Sequence, residues 1–265
     1  MKACLFFLAL LLLPSNLKAQ STASANVETF MLYWPEQDTS KKIWLYLPKN
    51  YDKKRKDRYP VIYMPDGQNL FDKATSAFGE WEIDETLDSL DIDVIVVGIE
   101  HGGDDRINEL TPYANEEHGG GRADVYLDYV MYTVKPYIDK RYRTKKDPAN
   151  TLIFGSSLGG LVSYYAVLNY PGTFGKAGVF SPAFWFTEDI YELTDYADAI
   201  EGKIYFMAGD NESETMVPNL DRMYSIVENK VADKSNIHKK IVPGGQHNEA
   251  LWSKEFAEAV VWLLK

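Results

Sequence analysis

The stretch from Thr151 to Gly160 constrains the fold of this chain more than any other. A short run of β-branched and aromatic residues, Thr151–Phe154, predicts a strand, and the pentapeptide GSSLG follows it at once. The apolar residues 161–168 then predict a buried helix. A G-x-S-x-G sequence between a strand and a helix indicates a sharp turn that exposes the serine hydroxyl, and its glycines let neighbouring backbone approach closely. Ser157 is therefore a candidate nucleophile.

Strands and helices alternate along the rest of the chain. Strands are predicted at Lys42–Pro48, Tyr59–Met64, Asp93–Glu100, Lys176–Phe180, Lys203–Ala208 and Ile237–Val242. Helices are predicted at Trp81–Leu90, at Arg122–Arg141 with a kink or break at Pro136, at Met216–Val231 and at Glu249–Leu264. We expect an α/β fold, in which a mostly parallel, doubly wound sheet with an antiparallel start carries helices on both faces. The Gly-rich residues 101–121 form an unusually long connection, which favours a functional role.

The first twenty residues predict a signal peptide. A basic start precedes the apolar run Leu5–Leu13, which is too short to span a bilayer, and we expect cleavage after Ala19 or Gln20. Cys4 lies ahead of the apolar run, so a lipoprotein anchor is excluded. We expect an exported protein, periplasmic or secreted, whose residues 21–265 form a single domain.

Composition excludes several classes of protein. Cys4 is the only cysteine, so the processed chain has no disulfide, thiolate metal site or cysteine nucleophile. Loss of Lys2 and Lys18 with the leader takes the formal charge from −11 to about −13. Such an acidic chain argues against nucleic acid or an anionic membrane surface as a partner.

A serine nucleophile needs a base, and the base needs an orienting carboxylate. His247 lies in a turn between the last predicted strand and the last helix, where α/β-hydrolases carry their catalytic histidine. The loop after the strand Lys203–Ala208 offers three carboxylates, although one or two of them could merely cap the next helix. The candidates are Glu212 first, Asp210 second, and Glu214.

An oxyanion hole needs two backbone N–H donors. Leu158, directly after the nucleophile, supplies one, and Gln68, after the strand Tyr59–Met64, is the better candidate for the other. The sequence HGGG at residues 118–121 imitates a lipase oxyanion motif, but it follows the wrong strand. We interpret it as a flexible loop that enters a helix.

His101 and His118 lie near several acidic residues, which raises the question of a metal. Their spacing matches no known zinc motif. We therefore expect neither a metal nor a cofactor.

Five segments together resemble the esterase D and carbohydrate-esterase family 1 superfamily, which includes ferric enterobactin esterases and feruloyl esterases. They are YMPDGQNLFD (63–72), VVGIEHGGDDRINELTPY (96–113), GSSLGG (155–160), SPAFW (181–185) and GGQHNEALW (244–252). The resemblance implies an α/β-hydrolase fold and metal-free ester hydrolysis. It implies Ser157 as nucleophile, His247 as base, Glu212 as the best match for the acid, and the N–H groups of Leu158 and Gln68 as oxyanion donors.

Two further residues come from the same resemblance. Arg106 belongs to the pattern of the long loop, where it either contacts substrate or pairs across the loop. Trp185 either walls the acyl pocket or packs beneath it.

The expected activity is hydrolysis of an ester through an acyl-enzyme, and feruloyl or acetyl esters of carbohydrates suit an exported, aromatic-rich chain. The alternatives are a siderophore trilactone esterase and an acyltransferase of the same fold. A non-catalytic carbohydrate-binding relative would need a broken triad. The oligomeric state is not readable from the sequence.

Overall fold

The computed structural model describes residues 21–51 and 56–265, so the predicted leader lies outside the described residues. The strands are β1 (Val27–Trp34), β2 (Thr39–Tyr46), β3 (Val61–Pro65), β4 (Ile95–Ile99), β5 (Ala114–Asn115), β6 (Gly119–Gly120), β7 (Thr151–Ser156), β8 (Lys176–Phe180), β9 (Lys203–Gly209) and β10 (Ile237–Val242). The helices are α1 (Ile83–Leu90), α2 (Arg106–Leu110), α3 (Ala123–Tyr129), α4 (Lys135–Arg141), α5 (Leu158–Asn169), α6 (Asp189–Tyr196), α7 (Met216–Lys230) and α8 (Glu249–Leu264).

Eight strands form one sheet in the order β1-β2-β4-β3-β7-β8-β9-β10. The β1–β2 and β2–β4 pairs are antiparallel, and every later pair is parallel. The predicted α/β class, with a mostly parallel sheet and an antiparallel start, is therefore confirmed. The carboxyl ends of β3, β7, β8, β9 and β10 lie along one edge, where α/β proteins place their ligands.

Alternate residues of each strand point to opposite faces, so the sheet has two apolar layers. On β7, Ile153 belongs to the apolar cluster that includes residues of α3, α4, α5, α6 and α7, whereas Leu152 and Phe154 belong to the one that includes residues of α1 and α8. Helices therefore cover both faces of the sheet, as predicted. Among the described residues, no helix combines the length and apolar character needed to cross a bilayer.

The structure adds elements that the sequence pattern did not indicate. The sequence pattern did not indicate β1, because apolar residues occupy both faces of this strand. Phe30 and Leu32 are partly buried, whereas Met31, between them, is 62% exposed. Residues 101–121 contain α2 and the β5–β6 hairpin. The HGGG segment is thus part of a hairpin, where a loop was expected: His118 lies in its turn, and Gly119 and Gly120, both at positive φ, form β6. The expected entry into a helix follows at Ala123. The short helix α6 was also missed.

The predicted helix 122–141 is interrupted in a specific way. A π-helical turn, Val130–Val134, separates α3 from α4, and Pro136 lies in the first turn of α4. Proline lacks an N–H, so it is tolerated where that group has no intrahelical acceptor. The chain remains helical on both sides. The predicted helix at 81–90 begins only at Ile83.

Candidate active site

Ser157 lies on the turn between β7 and α5 with φ 57° and ψ −121°, a conformation unfavourable for a side-chain-bearing residue. Its N–H donates to the carbonyl of Phe180 (3.0 Å), and its own carbonyl accepts from the N–H of Ala183 (3.1 Å). A Cβ on Gly155 would come within 2.7 Å of the backbone of Gly159. Close backbone packing and flanking hydrogen bonds therefore hold the strained serine in place.

His247 follows β10, and its partner carboxylate follows β9. Nδ1 of His247 lies 2.7 Å from Oε2 of Glu212. The other oxygen of Glu212, Oε1, accepts from the N–H of Gly209 (2.6 Å) and the hydroxyl of Ser181 (2.7 Å). The Glu212 side chain is 1% exposed. An ionised carboxylate can only accept, so Nδ1 carries the hydrogen and Nε2 is left to accept a proton.

The three acidic candidates of this loop have different positions. Glu212 is the one hydrogen-bonded to His247, whereas Asp210 accepts from the N–H of Gly244 (2.6 Å) through Oδ1. Asp210 thereby joins the loop after β9 to the loop after β10. Glu214 is exposed.

Two residues of this site carried no assigned role in the sequence. Ser181 is fully buried at φ 42°, and its hydroxyl accepts from Nε1 of Trp252 (2.8 Å) while donating to Glu212. The Trp252 ring stands edge-on to His247, with ring centroids 5.0 Å apart. Both residues lie in segments that carried the family resemblance, but they are 71 positions apart, so only the folded chain reveals their contact.

Ser157 and His247 line the same cavity, whose volume is about 540 Å³. Gln68 also lines it, from a short 3-10 turn after β3. Leu158 is the first residue of α5, so its N–H has no acceptor within the helix. The two predicted oxyanion donors thus follow neighbouring strands, β3 and β7, at the same edge of the sheet. Aromatic side chains supply much of the remaining wall, namely Phe78, Trp81 and Trp252.

Arg106 lines the cavity, but its charge is already paired. Nε and Nη2 bind the two oxygens of Asp66 at 2.7 and 2.8 Å. Burial lowers the pKa of the Arg106 guanidinium, but the Asp66 carboxylate outweighs it, and the pKa is raised. Arg106 thus forms an ion pair with Asp66, which directly follows β3, and not a pair across the long loop itself; it also lines the cavity.

Trp185 lies elsewhere. It is 52% exposed, stands edge-on to His118 with ring centroids 5.7 Å apart, and is not among the residues that line the cavity. His101 reaches the cavity, and its Nδ1 accepts from the N–H of Gly103 (2.9 Å). Within residues 21–51 and 56–265, neither His101 nor His118 belongs to a group of side chains close enough to share a metal ion.

A serine elbow after a central parallel strand, with a carboxylate-bound histidine after the last strand, is the arrangement of the α/β-hydrolases. Comparison with known proteins agrees. The model of the Esterase family, described as "Putative esterase", matches residues 36–263, so the chain belongs to this family and is a hydrolase of carboxylic esters.

The relatives and solved structures extend this similarity. Protein YbbA of Bacillus subtilis, described as uncharacterized, is 25% identical over 243 residues, which cover 84% of this chain and 92% of YbbA. The iron(III) enterobactin esterase of Dickeya dadantii is 25% identical over 255 residues, which cover 88% of this chain and 54% of the relative. An endo-1,4-beta-xylanase/feruloyl esterase of Xylanibacter ruminicola is 27% identical over 155 residues, covering 55% of this chain and 20% of the relative. Among solved structures, the BES protein from Bacillus cereus superposes with a TM-score of 0.73 at 19% identity, covering 93% of this chain and 97% of that protein.

Proposed function

We propose that this protein is an exported serine esterase that works through an acyl-enzyme. Ser157 is the nucleophile, His247 the base and Glu212 the acid. The observation that carries the proposal is the 2.7 Å contact between Glu212 and His247, because His247 lines the same cavity as the strained Ser157. Export is proposed from the leader-like pattern of residues 1–20.

The reaction follows from the roles of these groups. The Ser157 hydroxyl attacks the ester carbonyl while Nε2 of His247 takes its proton, and the N–H groups of Leu158 and Gln68 stabilise the oxyanion. Collapse of the tetrahedral intermediate breaks the ester C–O bond, and His247 returns the proton to the departing alcohol. Water then attacks the acyl-enzyme by the same route, which releases the acid and restores the serine.

We propose esters of carbohydrates, with a feruloyl or acetyl acyl group, as the substrate class. The aromatic wall of Phe78, Trp81 and Trp252 suits a planar aromatic acyl group. The one arginine that lines the cavity within the described part of the chain is neutralised by Asp66, which disfavours a strongly anionic ligand. The Xylanibacter ruminicola relative, named an endo-1,4-beta-xylanase/feruloyl esterase, favours the same class.

A siderophore trilactone is the second candidate substrate. The relative from Dickeya dadantii is named an iron(III) enterobactin esterase, and the chain spans about half of its length. Purified protein should be assayed against feruloyl, acetyl-xylan and catecholate trilactone esters in parallel. If kcat/KM for the trilactone exceeds that for the carbohydrate esters by more than about tenfold, or about 1.4 kcal/mol, the siderophore ester becomes the first candidate substrate and the carbohydrate ester the second. Assays with a sugar acceptor distinguish acyl transfer from hydrolysis by the products formed.

The test of the mechanism is Ser157→Ala. We expect p-nitrophenyl acetate turnover to fall by roughly 10⁴–10⁶-fold with an unchanged circular dichroism spectrum, because the nucleophile is lost. A fluorophosphonate probe should label the wild-type protein at Ser157 and leave the variant unlabelled. Retained turnover in the variant would refute the mechanism, and an unlabelled wild type would favour a non-catalytic, carbohydrate-binding relative.

A further inference from the structure

The turn that carries Gln68, the second predicted oxyanion donor, begins with a residue in an unusual conformation. Asp66 directly follows β3 and adopts φ 59° and ψ 39°, in the left-handed region that residues with a side chain seldom occupy. The turn Gly67–Asn69 comes next, and the N–H of Asn69 donates to the carbonyl of Asp66 (2.9 Å). The direction of the Gln68 N–H therefore depends on the conformation that Asp66 keeps.

Arg106 holds the side chain of Asp66 by two hydrogen bonds at once. Its Nε donates to Oδ1 (2.7 Å) and its Nη2 to Oδ2 (2.8 Å), so a planar pair of donors meets both oxygens of the carboxylate. Asp66 is 9% exposed, and Arg106 is the first residue of α2. The ion pair thus joins the turn after β3 to a helix of the long connection 101–121, and it fixes the plane of the carboxylate, which a single contact would not.

The Asp66 carboxylate also lies close to the other predicted oxyanion donor. A Cβ built on Gly159 would come within 3.4 Å of Oδ2 of Asp66, and Gly159 is the residue directly after Leu158. One negative charge therefore lies near both N–H groups that would bind the oxyanion. Without a partner it would repel the oxyanion as that charge develops, whereas the Arg106 guanidinium compensates it.

Glu249 shows that both charges of this ion pair are felt at the cavity wall. Asp66, Arg106 and Glu249 all line the cavity. Burial is the main cause that raises the pKa of Glu249, the charge of Asp66 raises it further, and the charge of Arg106 lowers it. The two charges therefore oppose each other there, and removal of one would leave the other uncompensated.

We propose that Arg106 and Asp66 are positioning residues of the oxyanion hole. Their ion pair sets the turn that presents the N–H of Gln68, and it compensates a carboxylate that would otherwise oppose the oxyanion. This role rests on the esterase mechanism proposed above, and it needs no contact between Arg106 and the substrate. An arginine that bound the substrate would act mainly on KM, because its contact would exist before the reaction begins.

Arg106→Gln leaves the Asp66 carboxylate unpaired. We expect kcat for p-nitrophenyl acetate to fall by roughly 10–100-fold and KM to stay within about twofold, because the loss arises only as the oxyanion forms. Rates are expressed per active site, counted at the end point of fluorophosphonate titration. Arg222→Gln is the matched control, since it breaks the two-bond pair of Arg222 with Glu188, which is exposed and is not among the residues that line the cavity. It should leave kcat and KM unchanged.

Asp66→Asn/Arg106→Gln is the decisive variant. It removes both charges, asparagine tolerates the left-handed conformation, and the two neutral amides can hydrogen-bond to each other. We expect its kcat to exceed that of Arg106→Gln by at least about fivefold, because the uncompensated carboxylate is gone. A double variant no faster than Arg106→Gln would overturn the proposal, and so would an effect of Arg106→Gln confined to KM.

Inhibition by an aryl boronic acid gives a second readout, because the tetrahedral adduct of boron with Ser157 mimics the oxyanion. Its Ki should rise in Arg106→Gln by about the same factor as kcat falls. A purely structural role for Arg106 would instead reduce the amount of titratable enzyme and leave Ki unchanged, which would overturn the proposal.

If Arg106→Gln does not fold, Arg106→Lys replaces it. Lysine keeps the charge but cannot meet both oxygens with planar donors, so kcat should fall by at least about threefold at an unchanged KM. A wild-type kcat in that variant would count against the positioning role. Failure of the proposed function is measured separately, by turnover in Ser157→Ala and by labelling of the wild type, and neither result depends on Arg106.

Discussion

Two buried carboxylates stand near the same cavity, and their surroundings are opposite. Glu212 receives hydrogen bonds at both oxygens, from His247, Gly209 and Ser181. Asp84 receives one backbone N–H, from Ser24, and its other hydrogen-bonding neighbour is the carboxyl group of Glu85. Fixed donors hold a carboxylate in one orientation. Beside Asp84 there is another carboxyl group instead, and burial together with the hydrogen bond to Asp84 raises the pKa of Glu85 to about 8. The hydrogen-bond donors around each carboxyl group therefore indicate its role better than its burial does.

The variant Glu212→Gln tests the role of the first carboxylate and has the largest expected effect. We expect kcat to fall by about 10³–10⁴-fold, because other Ser-His-Asp triads lose about this much when the carboxylate becomes an amide. The measurement is turnover of p-nitrophenyl acetate per active site titrated with fluorophosphonate. The control is Asp210→Asn, which alters the contact to Gly244 and leaves the carboxylate on His247 in place. A larger loss in the control than in Glu212→Gln would reassign the acid.

Ser181→Ala tests whether the donors around Glu212 matter for catalysis. Loss of a hydrogen bond to a charged group costs about 1.5–3 kcal/mol, so we expect kcat to fall by about 10–100-fold. KM should stay unchanged, because Ser181 is buried behind Glu212 and is not among the cavity residues.

A purely structural role for Ser181 would give a different result. It would reduce the amount of titratable enzyme and leave turnover per site unchanged. Trp252→Phe removes the donor to Ser181 and part of the ring that lines the cavity, but it leaves the hydrogen bond from Ser181 to Glu212, so it should lower kcat less than Ser181→Ala does.

Glu249 is a third buried carboxyl group beside the cavity, and its replacement has the smallest expected effect, a pH-dependent change in Tm. It lines the cavity and is 5% exposed, and burial raises its pKa above the usual value for a glutamate. The folded protein therefore holds a proton on Glu249 over a pH range in which the unfolded chain has lost it. Stability falls as the pH rises from about 4.5 through the folded pKa. Glu249→Gln should raise Tm at about pH 8 and leave it unchanged near pH 4; a shift that is equal at both pH values would show that the carboxyl charge is not its cause.

Local patterns made much of the fold and site predictable. The apolar strands, the G-x-S-x-G turn and the position of His247 are each encoded in a few consecutive residues. The choice between Asp210 and Glu212 was open because they lie two residues apart in one turn, whose backbone geometry decides which side chain faces His247. Glu212 was ranked ahead of Asp210 in the sequence, and the family resemblance supported that order.

The sequence alone did not predict contacts between residues that lie far apart along the chain. Trp252 meets Ser181 across 71 positions, and Ser24 meets Asp84 across 60. No short pattern encodes either contact. Trp185 could not be located because the short turn that carries it packs against His118, in the β5–β6 region, whose hairpin was itself not expected.

The hydrogen bond from Gly244 to Asp210 has a consequence for motion. It fastens the loop that carries Glu212 to the loop that carries His247, and the N–H of Asn211 adds a second link to the carbonyl of Gly245 (3.0 Å). Acid and base are thus coupled mechanically as well as chemically, and a displacement of one loop displaces the other. These two hydrogen bonds resist any separation of the acid from the base, whereas Phe78, which also lines the cavity, is 82% exposed and is not held in this way by either link.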